Sequence, residues 1–363
     1  MVFDFYNLYE AYKVESLGKR DKLNHHKYRY ELEDNLFVLI EQLNNGQFEP
    51  APLQLKNIPY PKKRVAQVPS KDDKIVQHAV CDEVAYWPLV APLLPESSAN
   101  TRGRGTDYGL RLLKENFVKF YRKYRRPPYI LKADISNFFG SIPHDNAKAL
   151  IRKYIDDETI LTIMDKFIDL SKTDVGLPLG LQQSQLIANL YLSEMDHVIV
   201  EDKGFIYYGR HMDDFYVMSD SREELETLLD WIDSYVQSIG LTLNPKTIIT
   251  YRAVEYLGFK VFVSDSGKVI MRLLNSKKKT KRHQLRKQVS QLANGEITPE
   301  QLAMSYQGWR QHARKGNTHN MIVAMDKYLN DLLEPIGYRM SNQFRGWDKK
   351  KHRKKWQIVI RRI

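Results

Sequence analysis

The stretch Phe205-Ile206-Tyr207-Tyr208-Gly209-Arg210-His211-Met212-Asp213-Asp214-Phe215-Tyr216-Val217-Met218 constrains the fold more than any other part of the chain. Both flanks are rich in β-branched and aromatic residues and read as strands, so His211-Met212-Asp213-Asp214 falls at a tight hairpin turn. Adjacent carboxylates at such a turn repel each other unless a cation sits between them. Mg²⁺ suits that place, because it prefers hard carboxylate oxygens and completes its octahedron with phosphate and water. The plain alternative is a solvated Asp-Asp turn, since Asp is a common turn former. What the rest of the chain brings to the hairpin decides between the two.

At 363 residues the chain is too long for one core and is expected to form two or three lobes. An apolar fraction of 42% supports a folded protein. No run of about 18 apolar residues is present to span a membrane, and Met1 to Tyr6 lacks the basic and apolar regions of a leader. Cys81 is the only cysteine, which excludes a disulfide framework and a Cys-based zinc site. The expectation is an intracellular, cytoplasmic protein with no membrane partner.

A net charge of +12 points to a polyanion. The charge is concentrated. Asn275 to Gln288 holds Lys277, Lys278, Lys279, Lys281, Arg282, Arg286 and Lys287 and no acid. Ser341 to Ile363 holds nine Lys and Arg against Asp348 alone. Aromatics lie among or near these runs (Trp309, Phe344, Trp347, Trp356), a pattern in which phosphates meet cations and bases stack on rings.

Periodicity places helices over residues 1 to about 50, with Leu32, Leu36, Leu39, Ile40 and Leu43 on one stripe. It predicts a basic hairpin around Ile58–Val65, helices over 74–87 and 107–124, and a buried strand over 129–135 that ends on Asp134. Helices are expected over 143–155, 158–170, 183–200 and 223–238, then strands over 247–251 and 256–263. The pattern is helical again from Lys277 to about Leu333. The sum is an α/β (α+β) fold: a sheet domain with helices at both ends. Asp134 at a strand end would be costly unless exposed or liganded. Beside the Asp213-Asp214 hairpin it would make the acid cluster that two-metal phosphoryl transfer requires.

Three segments follow in order: Asp134-Ile135-Ser136-Asn137-Phe138-Phe139-Gly140, Gly176-Leu177-Pro178-Leu179-Gly180-Leu181-Gln182-Gln183-Ser184-Gln185, and His211-Met212-Asp213-Asp214. Together they resemble the palm motifs of reverse transcriptases. Leu243-Asn244-Pro245-Lys246-Thr247 is similar to the lysine motif after the catalytic hairpin, and Tyr256-Leu257-Gly258-Phe259 to the primer grip. Ala99 to Thr106, with Arg102 before Gly103-Arg104-Gly105, resembles the fingers motif. The Gly180–Gln185 segment, ending Ser-Gln, and Ser305–Ala313 look like the enzymes of bacterial diversity-generating retroelements. Antiviral-defence reverse transcriptases share much of this layout.

The resemblance implies a right-hand polymerase with fingers (1–128), an antiparallel-sheet palm with helices (129–272), a helical thumb (273–334) and a basic tail (335–363). It implies an RNA-directed DNA polymerase with two Mg²⁺ ions, or Mn²⁺ in their place. Asp134 and Asp213 would ligate them with the Ile135 carbonyl, Asp214 would add negative field, and Lys246 would neutralise the leaving pyrophosphate. Phe139 would be the steric gate that excludes a ribose 2′-OH, and Gln185, Lys63, Arg64, Lys71 and Arg102 would meet the nucleotide or template. His211, where the family usually has an aromatic, would touch the primer terminus. Tyr256, Gly258, Lys277, Lys278, Lys279, Lys281 and Arg282 would hold nucleic acid. The implied partners are an RNA template, a cognate noncoding RNA, primer, cDNA product and dNTPs, with room for an accessory protein, in a bacterial or phage setting. A scaffold that binds RNA without catalysis is the reading from another class.

Overall fold

Three helices open the chain: α1 (Phe5–Glu15), α2 (Leu23–Tyr30) and α3 (Leu32–Asn44). Asp4 starts α1 with a capping box closed by Asn7. The stripe expected of α3 is buried at Leu36, Leu39 and Leu43. The protein is described here from a computed structural model, which covers residues 3–18, 23–58, 64–348 and 353–363. Strands β1 (Gln54–Ile58) and β2 (Arg64–Val68) pair antiparallel as the expected hairpin. Its turn, with Lys63, lies outside the described residues.

The helix expected over 74–87 starts earlier. Ser70 caps α4 (Lys71–Val80), a π turn follows over Cys81–Ala85, and α5 is Tyr86–Val90. Helix α6 (Thr106–Tyr124) leads to β3 (Tyr129–Ala133). The short α7 (Phe138–Ser141), α8 (His144–Arg152) and α9 (Glu158–Ile168) come next. The helix expected over 183–200 breaks into α10 (Gln182–Tyr191), α11 (Ser193–His197) and a π turn to Asp202.

The acidic hairpin is real, but shorter than its sequence pattern. Strands β4 (Tyr208–His211) and β5 (Asp214–Ser219) pair with His211 opposite Asp214. Met212 takes φ +63° at the turn. Helix α12 (Arg222–Ser238) and β6 (Ile248–Tyr251) complete a sheet ordered β4-β5-β3-β6. Tyr208, Phe215 and Val217 are fully buried in the core beneath this sheet.

The strand expected over 256–263 is corrected to a hairpin of β7 (Ala253–Tyr256) and β8 (Phe259–Val263), extended by β9 (Val269–Leu273). Leu257 (φ +48°) and Gly258 (φ +88°) form its two-residue loop. Positive φ at both central positions is the I′ signature, whose twist suits paired strands. Helices α13 (Asn275–Ala293), α14 (Pro299–Ala313) and α15 (His319–Leu333) follow as expected. The expected basic tail instead forms a hairpin of β10 (Tyr338–Asp348) and β11 (Arg353–Arg362). Met340, Ile358 and Ile360 bury it in one apolar cluster with Leu285, Leu302 and Leu329.

The chain forms two compact units, residues 1–113 with 129–250, and residues 114–128 with 251–363. No helix among the described residues is long and apolar enough to cross a membrane.

Candidate functional site

Strand β3 delivers Asp134 and the β4–β5 turn delivers Asp213 to the same end of the sheet, because β3 and β5 are antiparallel neighbours. The Asp213 carboxyl is pushed up to about 6, first by burial, then by the charge of Asp134, with which it also shares a hydrogen bond. Two half-buried acids in this state are relieved by a divalent cation. Asp214 forms an ion pair with Lys132. Burial holds the Lys132 ammonium down at about 8, while Asp134 and Asp213 pull it the other way. Sequence reasoning missed Lys132, although its signal was available: two residues before Asp134 on a strand puts it on the same face.

Among the described residues no three His, Cys, Asp or Glu side chains form a ready metal cage. A pair of carboxylates still fits Mg²⁺, which is commonly held by one or two of them together with substrate phosphates. The loop after α12 supports the pair. Asn244 donates its backbone N–H to the Asp134 carbonyl at 2.8 Å, and its side-chain Nδ2 donates to Asp134 Oδ2 at 3.3 Å. Asn244 Oδ1 then accepts the Lys246 backbone N–H at 3.0 Å. Ile135 bridges to Leu243 in the same loop, so the lysine motif runs alongside the first acid.

Next to the turn is an open cavity of about 520 Å³, lined among others by Thr101, Arg104, Phe139, Gln185, His211 and Met212. Phe139 and Gln185 are thus both among the residues that line it. Phe139 is held edge-on by Phe138, ring centroids 5.7 Å apart. Gly180 (φ +114°) lets β2 dock against the cavity rim: a Cβ there would stand 2.3 Å from the Gln67 carbonyl oxygen. Strand β2 is the one that Arg64 begins. His211 Nδ1 lies 2.9 Å from Ser98 Oγ. Burial, then the neighbouring Arg210 charge, lowers the imidazole below its ordinary value.

Several expected contacts are not where the sequence put them. Arg102 does not line the cavity. Its guanidinium lies 4.3 Å from the Tyr86 ring centroid and 3.5 Å from Asp82 Oδ1, and Arg104 takes the lining position. Lys71 lies 4.3 Å from the Tyr28 ring centroid and 3.9 Å from Glu15 Oε2, engaged within the N-terminal helices.

The second unit holds the remaining candidates. Tyr256, expected at the nucleic acid, is buried, and its ring belongs to the core. A Cβ on Gly258 would stand 3.6 Å from the Lys277 side chain, which places the grip turn beside the start of α13. Lys277, Lys279 and Arg282 are exposed and Lys278 is half-buried. Lys281 is a correction: it is 3% exposed, and its ammonium donates to Gln284 Oε1 at 3.2 Å and to Ser305. Helical periodicity turns this one member of the run inward, against α14.

The sequence is similar to that of known proteins. The family model for reverse transcriptase (RNA-dependent DNA polymerase) matches residues 56–261. Protein YkfC of Escherichia coli is 27% identical over 177 residues, 46% of this chain and 45% of that protein. The group II intron-encoded protein LtrA of Lactococcus lactis is 26% identical over 183 residues, 47% of this chain and 29% of that one. The retron Ec73 reverse transcriptase of Escherichia coli is 30% identical over 123 residues, 31% of this chain and 39% of that one. The chain thus spans less than half the length of each of these relatives. With more than half of its residues matched by the family model, and the acid pair standing at one end of the sheet, the chain belongs to the reverse transcriptase family.

Proposed function

We propose that the protein is an RNA-directed DNA polymerase that adds dNMPs to a 3′-hydroxyl and releases pyrophosphate. The observation that carries this reading is the pairing of Asp134 with Asp213 at a turn whose His211 and Met212 line the cavity. Asp134 and Asp213, with the Ile135 carbonyl, would hold two divalent ions, and Asp214 would add field. Such ions, when bound, activate the attacking hydroxyl and stabilise the leaving oxygen. Phe139 lies flat against the sugar and leaves no room for a 2′-OH, while Gln185 approaches the nucleotide from the start of α10. Lys246 neutralises the departing pyrophosphate. Lys63 and Arg64 belong over the triphosphate, joined by Arg104.

Exposed cations of α13 hold the duplex by its phosphates, a contact without sequence information. In this reading residues 1–128 are fingers, 129–272 palm and 273–334 thumb. The basic C-terminal segment, with nine Lys and Arg between 341 and 363, engages a cognate noncoding RNA or a partner protein.

The test is primer extension on an RNA template with dNTPs and Mg²⁺, comparing the parent with Asp213→Asn. The variant is expected to be slower by about a thousandfold, roughly 4 kcal/mol of transition-state stabilisation. No incorporation by either protein, with the native RNA supplied, would leave the RNA-binding scaffold as the reading. The Ser184-Gln185 ending supports a role in a diversity-generating retroelement. A template repeat beside a near-identical variable repeat, differing at adenines, in neighbouring DNA would agree with that role. A locus with neither repeat would favour antiviral defence.

A further inference from the structure

Behind the acidic turn lies a charge that the proposed chemistry does not use. Arg210 and Asp196 are both 0% exposed, and Asn189 is 1% exposed. A guanidinium has five N–H groups in a fixed plane, and each of the five has an acceptor here. Nε donates to Asp196 Oδ1 at 2.8 Å. Nη2 donates to Asp196 Oδ2 and to the Asn189 carbonyl oxygen. Nη1 donates to Asn189 Oδ1 at 3.0 Å and to the Met212 carbonyl oxygen at 2.8 Å. Tyr208 adds its hydroxyl to Asp196 Oδ1.

The placement of the acceptors is informative. Met212 is the left-handed residue of the turn, immediately before Asp213. Asn189 lies on α10, one helical turn beyond Gln185, and its Nδ2 donates to the Ala99 carbonyl oxygen at 2.9 Å. Asn100 Nδ2 in turn donates to the Gln185 carbonyl oxygen at 3.4 Å. One buried side chain therefore ties the acidic turn to two walls of the cavity.

Stability alone is a poor reason for such a network. Burying an ion pair costs desolvation that its attraction often only balances, and well-packed apolar residues do as well or better. A planar, fully bonded fork does supply direction: it fixes where the Met212 carbonyl points, and with it the left-handed turn that aims Asp213. An ammonium could not reach Asp196, Asn189 and Met212 together.

We propose that Arg210 is a positioning residue: it holds the Met212 carbonyl so that Asp213 meets Asp134 in a metal-binding arrangement registered to the Gln185 wall. The inference rests on the polymerase reading for its catalytic consequence, but not for its metal-binding one. The decisive variant is the triple replacement Arg210→Met, Asp196→Leu and Tyr208→Phe, which removes the charges and keeps an apolar core of similar volume. Arg210→Lys is the second variant, should the first not fold. Thermal unfolding and far-ultraviolet circular dichroism report the fold, Mn²⁺ titration followed by electron paramagnetic resonance reports the site, and single-nucleotide extension separates kcat from the dNTP KM. The expected result is a folded protein with a parental Tm, Mn²⁺ affinity lower by at least tenfold, and kcat lower by at least tenfold. Parental Mn²⁺ affinity and kcat in a folded variant would overturn the inference and make the network purely structural. If the parent incorporates no dNMP, the polymerase reading falls, and the Mn²⁺ titration, with Asp213→Asn as reference, still decides whether Arg210 positions the turn.

Discussion

The two units of the chain are electrostatic opposites. The unit holding the acid pair and the cavity has 25 Lys and Arg against 35 Asp and Glu, a net −10. The other has 31 Lys and Arg against 9 Asp and Glu, a net +22. The net charge of +12 hides this opposition. A strongly basic surface attracts a polyanion at long range and holds it without reading sequence. An acidic site needs cations before it can approach the same polyanion, which suits a place where metal and nucleotide arrive together. The contrast separates two features: positive charge gathers in one unit and the acid pair stands in the other.

Separating them experimentally begins with Asp213→Asn, whose thousandfold loss of rate should leave RNA affinity within about twofold in a filter-binding titration. The reverse change, replacing Lys277, Lys279 and Arg282 together by Ser, should weaken binding and leave kcat at saturation unchanged. The plot of log affinity against log salt should become shallower by about 2.7, at roughly 0.9 for each lost phosphate contact. An unchanged slope would move the nucleic acid off this face of α13.

Phe139→Ala should lower discrimination against rNTPs by roughly tenfold or more, on the scale of a few kcal/mol for lost pocket contacts. It is read as the ratio of kcat/KM for dNTP and rNTP.

Lys281→Met should leave the salt slope untouched, because its cation is inside. Burial lowers the Lys281 ammonium from 10.5 to about 8. The folded protein therefore binds this proton less readily than the unfolded chain. Below pH 8 the charged group costs stability, and between pH 8 and about 10.5 that cost is relieved as pH rises. The variant should match or exceed the parent's Tm at pH 7 and lose that rise on alkalinisation, as thermal scans across pH would show. The smallest effect is at the β7–β8 turn, where Leu257 holds a left-handed backbone. Leu257→Gly should stabilise the second unit by about 1 kcal/mol in denaturant unfolding.

Much of the site was legible from local pattern. The hairpin around Asp213, the strand that carries Asp134, and the order of the Gly180–Gln185 and Lys246 segments all depend on neighbours within a few residues. Turn chemistry and strand periodicity act at that range. Phe139 and Gln185, 46 positions apart, are named together by the resemblance, and both line the same cavity. Legibility ended where residues of the same type compete for one task. Arg102 and Arg104 look alike in Arg102-Gly103-Arg104-Gly105, yet Asp82 and Tyr86, about 20 positions upstream, engage the first and leave the second at the cavity. The last segment read only as a basic tail, because the burial of Met340, Ile358 and Ile360 has meaning only against α14 and α15.

The sequence by itself determined that two acids would sit on a strand–turn–strand, that a third would end a neighbouring strand, and that positive charge would gather late in the chain. Tertiary structure decided which of these charges remain available. Lys132 engages Asp214, Asp196 and Asn189 enclose Arg210, and Ser305 receives Lys281. A charge is satisfied by whatever comes within about 4 Å in a medium of low dielectric, and that neighbour is chosen by packing between distant segments, which local pattern does not encode.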